Sequence, residues 1–146
     1  NETRSKTPVH LWIVGILALL WNAVGCFDYF ATQTKLESYM SNFTPEQLEY
    51  FYGFPAWADA AWAVAVWGSL LAAVGLLLRK AWAVWLFGLA ILGMVVTAVY
   101  NFALSDGSAI MGREAVIFTG VIWVIALFLY CYARAMAGRS ALGSAE

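Results

Sequence analysis

Apolar residues run through this chain in four long blocks, and the polar positions between them are few and clustered. The blocks cover about 9–31, 57–78, 81–103 and 115–135. Each is long enough to cross a hydrocarbon core of about 30 Å as a helix. The pattern predicts an all-α integral membrane protein, a four-helix transmembrane bundle that takes up residues 1–146 as one domain.

Within the blocks the small residues recur at helical spacing. Ala58, Ala61, Ala65, Gly68 or Ser69, Ala72 and Gly75 form one seam on the second helix. Gly15, Ala18, Asn22, Gly25 and Tyr29 form a stripe on the first, and Ala90, Gly93, Thr97 and Asn101 one on the third. Small residues let two backbones approach closely, which is what holds helices together in lipid. These seams are expected to close the bundle, and a seam left over would dock a second subunit.

The connections differ in length. Between the first two blocks, Thr44-Pro45-Glu46-Gln47 reads as a helix start, with Thr44 as N-cap, Pro45 in the first turn and Gln47 closing a capping box. Leu48, Phe51 and Tyr52 then share a side, and Gly53 and Pro55 end the turn. A short helix with an aromatic face is expected in the membrane interface, as a lid or a recognition element. The second connection is so brief that helices 2 and 3 must form a tight hairpin. The third, Leu104–Glu114, carries the turn composition Ser105-Asp106-Gly107-Ser108, and the tail after Ala137 should fray.

Composition agrees with the pattern: 63% of residues are hydrophobic, 12% are charged, and the mean hydropathy is +0.74. The net charge of −1 argues against a nucleic-acid partner, which would need a basic face. The position of the charges says more. Arg4, Lys6, Arg79, Lys80, Arg134 and Arg139 fall on one side of the blocks, and Lys35 and Arg113 on the other. The positive-inside rule then puts both termini and the second connection in the cytoplasm, and the first and third connections outside. The opening stretch superficially resembles an export signal ending at Cys26. However, Trp21-Asn22 breaks its apolar run and the residues after Cys26 stay aromatic, so a retained first helix is expected.

Polar groups inside the blocks are the candidates for chemistry. Asn22 is the deepest, and an amide in hydrocarbon must face the bundle interior. Asp28 with Tyr29, Asp59 with Trp62, Tyr100 with Asn101, and Arg113 all fall near the outer ends of their helices. They are expected either as an ion-pair network, Arg113 neutralising one or both aspartates, or as an outward-facing binding site for a small polar or cationic solute. Trp12, Trp82 and Trp85 fit one interfacial belt, and Trp57 and Trp62 the other. Trp21, Trp67 and Trp123 lie near mid-bilayer, where they pack or line a pocket for a lipid tail, quinone or pigment.

Other chemistry has no foothold. His10 is the only histidine, the two cysteines Cys26 and Cys131 lie at opposite ends of their helices, and neither a CxxC pair nor a phosphate-binding glycine loop occurs. Both cysteines are expected as unpaired packers. No cofactor, no metal and no enzymatic activity is expected. Without an internal repeat, an inverted-repeat transporter is disfavoured.

Leu20-Trp21-Asn22 with Gly25 and Asp28-Tyr29, then Phe51-Tyr52-Gly53-Phe54-Pro55-Ala56-Trp57, then Leu78-Arg79-Lys80 and Leu104-Ser105-Asp106-Gly107, resemble a family of small four-helix bacterial inner-membrane proteins. The likeness extends over nearly the whole chain. Members are often loosely labelled "sugar transporter", and the resemblance implies no residue roles. The expectation is a non-catalytic protein in contact with membrane lipids, an accessory subunit joining itself or a larger membrane complex. The alternative is a small-solute, possibly sugar, transporter.

Overall fold

The structure is a computed structural model that describes residues 8–138 and residue 142. Arg4, Lys6 and Arg139 of the charge pattern lie outside the described residues. Four helices are long and apolar enough to cross a membrane: α1 (Val9–Gln33), α4 (Ala56–Leu77), α5 (Trp82–Val99, extended by a π-helical turn over Tyr100–Leu104) and α7 (Arg113–Gly138). Three short helices join them at one end, α2 (Glu37–Met40), α3 (Pro45–Tyr52) and α6 (Gly107–Met111). This end is the cap. At the other end Leu78–Ala81 turns α4 directly into α5, making the expected hairpin.

Two of the turns have the same local logic. After α1, the Lys35 and Leu36 amides donate back to the Thr32 and Ala31 carbonyls. After α4, the Arg79 and Lys80 amides donate to those of Leu76 and Gly75. Each is a Schellman closure that needs a left-handed residue, and Lys35 (φ 55°) and Arg79 (φ 59°) supply it where glycine is usual. Both chains therefore reverse sharply and at once. α3 begins as its sequence predicts: Thr44 Oγ1 accepts from the Gln47 amide at 3.1 Å, and Gln47 Oε1 accepts from the Thr44 amide at 3.1 Å. The third connection is more ordered than its turn composition implies, since α6 begins inside it at Gly107.

The small-residue seam of α4 is consumed within the bundle. Ala58, Ala61, Ala65, Gly68, Ala72 and Gly75 are all buried. A Cβ on Gly93 of α5 would stand 2.7 Å from the Ala61 carbonyl oxygen and 3.0 Å from the Ala65 nitrogen, so the two backbones touch there. On the other side of α4, the Gly25 face of α1 meets Val66, and the Cys26 thiol donates to the Val66 carbonyl at 3.2 Å. The docking surface imagined on a spare seam is thus occupied by α1 and α5. Trp67, by contrast, lies exposed on the outer surface of α4.

The helices follow the order α1, α4, α5, α7, each packed on the next, whereas α1 and α7 are not closely packed. Facing rings bridge that gap. Trp21 meets Phe118 at 5.9 Å between ring centroids, and toward the hairpin end His10 meets Tyr132 edge to face, joined by an Nδ1–Oη hydrogen bond. Around the hairpin end Leu11, Leu76, Ala83, Ala133 and Met136 make the tightest core, with Leu142 tucked against it. Of the tail expected to fray after Ala137, Gly138 ends α7 and Leu142 is buried; its other residues lie outside the described residues. Both cysteines are free, with Cys26 buried as expected. Cys131 is exposed on α7, so only one of them is a packer.

Candidate functional site

Because α1 and α7 stand apart, the bundle encloses a cavity of about 560 Å³. All four long helices and all three cap helices contribute to its wall. Val24 of α1 (67% exposed) and Phe118 of α7 (53% exposed) belong to that wall yet face outward, which marks a lateral mouth between these two helices. The wall changes character along its length. Toward the hairpin it is mainly apolar, with Phe87, Ile91, Ile125 and Leu129 beside Asn22 and Ser69. From Phe87 to Asn101 on α5 spans about 20 Å at 1.5 Å per residue. Polar groups collect at the cap end.

Two hydrogen-bonded clusters build that end. In the first, the Tyr39 hydroxyl of α2 donates to Asp28 Oδ1 of α1. The short α1–α2 turn makes this possible, because Thr32 and Lys35 reverse the chain within a few residues of Asp28. In the second, the Tyr50 hydroxyl of α3 donates to Asn101 Oδ1 and lies 2.8 Å from Ser105 Oγ, whose own proton goes to the Tyr100 carbonyl at 2.8 Å. The π-helical turn turns Asn101 toward the cavity, and Gly107 lets the Tyr50 ring lie against the start of α6: a Cβ there would collide with the phenol and with the Asn101 carbonyl. Gln47 Nε2 donates to the Ile110 carbonyl at 3.4 Å, completing the tie from α3 to α6.

Burial disfavours the phenolate of both tyrosines. Tyr39 is pushed well above the usual phenol range by desolvation, then by its hydrogen bond to Asp28 and by the carboxylate charge. Tyr50 is also raised, by desolvation first and by Tyr100 to a lesser degree, against a lowering from its bond to Ser105. Both hydroxyls therefore stay protonated donors throughout the physiological range. The stability this lends is present below a phenol's ordinary pKa of about 10 and lost as pH rises through the raised value.

The eight residues singled out in the sequence divide evenly. Asn22, Asp28, Trp62 and Asn101 line the cavity. Asn22 Nδ2 also reaches the Ser69 carbonyl of α4 at 3.4 Å, so the amide is interior as expected. The other four lie elsewhere. Tyr29 packs edge to face on the back of Trp62, at 4.8 Å between centroids. Asp59 accepts from Gln33 Nε2 at 3.1 Å, closing α1 on α4 away from the cavity. Tyr100 is a packing ring between Phe54 (4.9 Å) and Trp57 (5.5 Å).

Arg113 corrects the expected ion-pair network. It is the first residue of α7 and is exposed, and among the described residues no ion pair joins it to Asp28 or Asp59. Each aspartate has taken a neutral donor nearer to hand, Tyr39 for one and Gln33 for the other. The aromatic face of α3 also needs revision. Tyr52 is turned outward beneath the Lys35 ammonium, 4.8 Å from the ring centroid, and Tyr50 takes the inner place. The spacing contained this answer: Gln47, Tyr50, Phe51 and Phe54 sit at i, i+3, i+4 and i+7.

Of the mid-bilayer tryptophans, Trp21 and Trp123 line the cavity and Trp67 does not. The threonines of the wall are satisfied by their own helices, Thr97 on the Gly93 carbonyl at 2.8 Å and Thr119 on that of Ala115 at 2.9 Å. They present little polarity to an occupant. Comparison with protein-family models, with curated proteins and with solved structures finds no match to this chain.

Proposed function

We propose that this chain is a non-catalytic, multi-pass protein of the bacterial inner membrane that binds a small amphipathic molecule drawn from the lipid phase. The observation that carries this reading is the cavity. Its volume of about 560 Å³ falls in the range of small-molecule sites, about 300–1,000 Å³. Part of its wall, at Val24 and Phe118, is open sideways between two helices, which suits a ligand that partitions into the bilayer.

The sugar-transport alternative, suggested by the resemblance, fits the wall less well. A sugar would need hydrogen-bonding groups along its whole length, and the inner half of this cavity offers Phe87, Ile91, Ile125 and Leu129 with only Asn22 and Ser69 among them. The α4 seam packs inside the bundle, against α5 at Gly93 and Ala90, so in this reading an accessory role would not run through it. Association with a second copy or a larger complex would have to use the lipid-facing sides.

The orientation in this reading follows from the Lys/Arg positions: cap outside, with the Arg79-Lys80 hairpin in the cytoplasm. In a Cys131→Ala background, cysteines at Glu46 and Ser108 should react with an impermeant thiol reagent added to intact cells. A cysteine at Lys80 should react only after the membrane is opened. The reverse pattern would invert the protein.

Binding itself is tested by native mass spectrometry of protein released from bilayer nanodiscs. The protein should carry a small-molecule adduct, and Ala126→Trp, which fills the cavity from α7, should lose it while melting within a few degrees of the parent. Adduct-free protein, or the same adduct on both forms, would leave the cavity without a binding role.

A further inference from the structure

Among the described residues Asp28 is the only charged side chain on the cavity wall, and no lysine, arginine or histidine lines it. Lys35 lies over Tyr52 on the outside of the cap, and Arg113 is exposed at the start of α7. Asp28 Oδ1 is held by the Tyr39 hydroxyl, while Oδ2 takes no hydrogen bond from any described residue. A carboxylate in a poorly hydrated site normally finds a cation, because burying it alone is costly. This one is given a single neutral donor and lines the cavity.

The cap end that Asp28 shares is largely aromatic. Tyr39, Phe43, Tyr50, Phe51, Phe54 and Trp62 all line the cap end of the cavity. They hold one another edge to face, Phe43 against Tyr39 and Phe51, and Phe54 against Tyr50. Ring faces carry negative potential and attract cations, and a cage of them is the usual way to recognise an ammonium group that has shed its water. Beyond the rings the wall is mainly apolar, Phe87, Ile91, Ile125 and Leu129 outnumbering the Asn22 amide and the Ser69 side chain, for the depth needed by an alkyl or aromatic body.

We infer that the cavity is a site for lipophilic cations, with an ammonium head between the Asp28 carboxylate and the cap aromatics and an apolar body running toward Phe87 and Leu129. The inference rests on the ligand-binding reading above and names its substrate class. A singly charged cation completes the charge of the site. A zwitterionic lipid head would bring a phosphate beside Asp28 with no cation in the wall to receive it, so a membrane phospholipid is the poorer occupant.

Three probes of equal length separate these possibilities: dodecyltrimethylammonium, dodecanol and dodecanoate. Each is dialysed against the full chain in phosphatidylcholine nanodiscs, with empty discs subtracted. The cation should bind at least about tenfold more tightly than the alcohol, and dodecanoate should not bind above empty discs. Asp28→Asn keeps an acceptor for the Tyr39 hydroxyl. It should lower cation affinity by about tenfold or more and leave the alcohol unchanged, so alcohol binding also reports that the variant is folded. The wild-type ranking needs no variant at all.

Equal binding of cation and alcohol, or a preference for dodecanoate, would overturn the cation assignment and leave a ligand-binding cavity standing. Phosphatidylcholine retained on the protein and excluding all three probes would also overturn it, by making a zwitterionic lipid the occupant. Binding of none of the three with no lipid retained would remove the ligand-binding reading, and this inference with it.

Discussion

Gly93→Ala is expected to destabilise the bundle by about 1–3 kcal/mol, a large effect for one methyl group. The added carbon would sit 2.7 Å from the Ala61 carbonyl oxygen and 3.0 Å from the Ala65 nitrogen. Those are backbone atoms in the middle of α4, so no side chain can swing aside to admit it, and α5 must move away as a whole. The α4–α5 contact is the spine on which α1 and α7 are hung, so the displacement is felt throughout. Gly120→Ala on α7 is the matched control, because nothing lies within 4 Å of its added carbon. That change should be neutral or slightly stabilising, in keeping with alanine's better helix propensity. Thermal unfolding in one detergent gives both values. Equal melting temperatures for the two variants would mean that α4 and α5 are not in backbone contact.

Tyr50→Ala should have a consequence of similar size, and a more local one. The ring packs among Phe51, Phe54 and Tyr100, lies against Gly107, and its hydroxyl serves Asn101 and Ser105 together. Truncating a fully buried aromatic typically costs about 3–5 kcal/mol; Tyr50 is half-buried, so its loss should fall toward the low end of that range, and it falls on the cap. Hydrogen exchange should rise over 45–54 and 105–111 while the centre of α4 stays protected. Tyr50→Phe keeps the packing and removes only the hydroxyl, which should cost about 1–3 kcal/mol because Asn101 and Ser105 lose a shared partner. If both variants left cap exchange unchanged, the tie between α3, the π-helical turn and α6 would not be holding the cap.

The spans were legible because length and hydropathy are properties of a segment taken alone; the four helices begin and end within a few residues of the apolar blocks. The small-residue faces were legible too, since helical spacing places Ala61, Ala65 and Gly68 on one side whatever they meet. The partner of each face was not. Nothing in the residue pattern tells that α1 and α7 fail to close on each other, and the cavity depends on that gap.

The cap was readable only as far as the Thr44 capping box. Its tyrosines act through contacts across long sequence separations, Tyr50 on Asn101 and Ser105 above all. The expected Arg113 pairing misjudged distance for the same reason. Counting charges at equal depth ignores nearby neutral donors, and Tyr39 and Gln33 reach the two aspartates first.

The central claim, that the space between α1 and α7 holds a small molecule in the membrane, is tested most directly by photo-cross-linking in native membranes. A benzophenone amino acid is placed at Ile122, which lines the cavity, and separately at Val124, which faces outward on the same helix. After illumination, the masses of the adducts at the two positions are compared. The account predicts bulk phospholipid adducts at Val124 and, at Ile122, a distinct small-molecule adduct that excess dodecyltrimethylammonium suppresses. The same phospholipid pattern at both positions, or only cross-links from Ile122 back to α1, would contradict it.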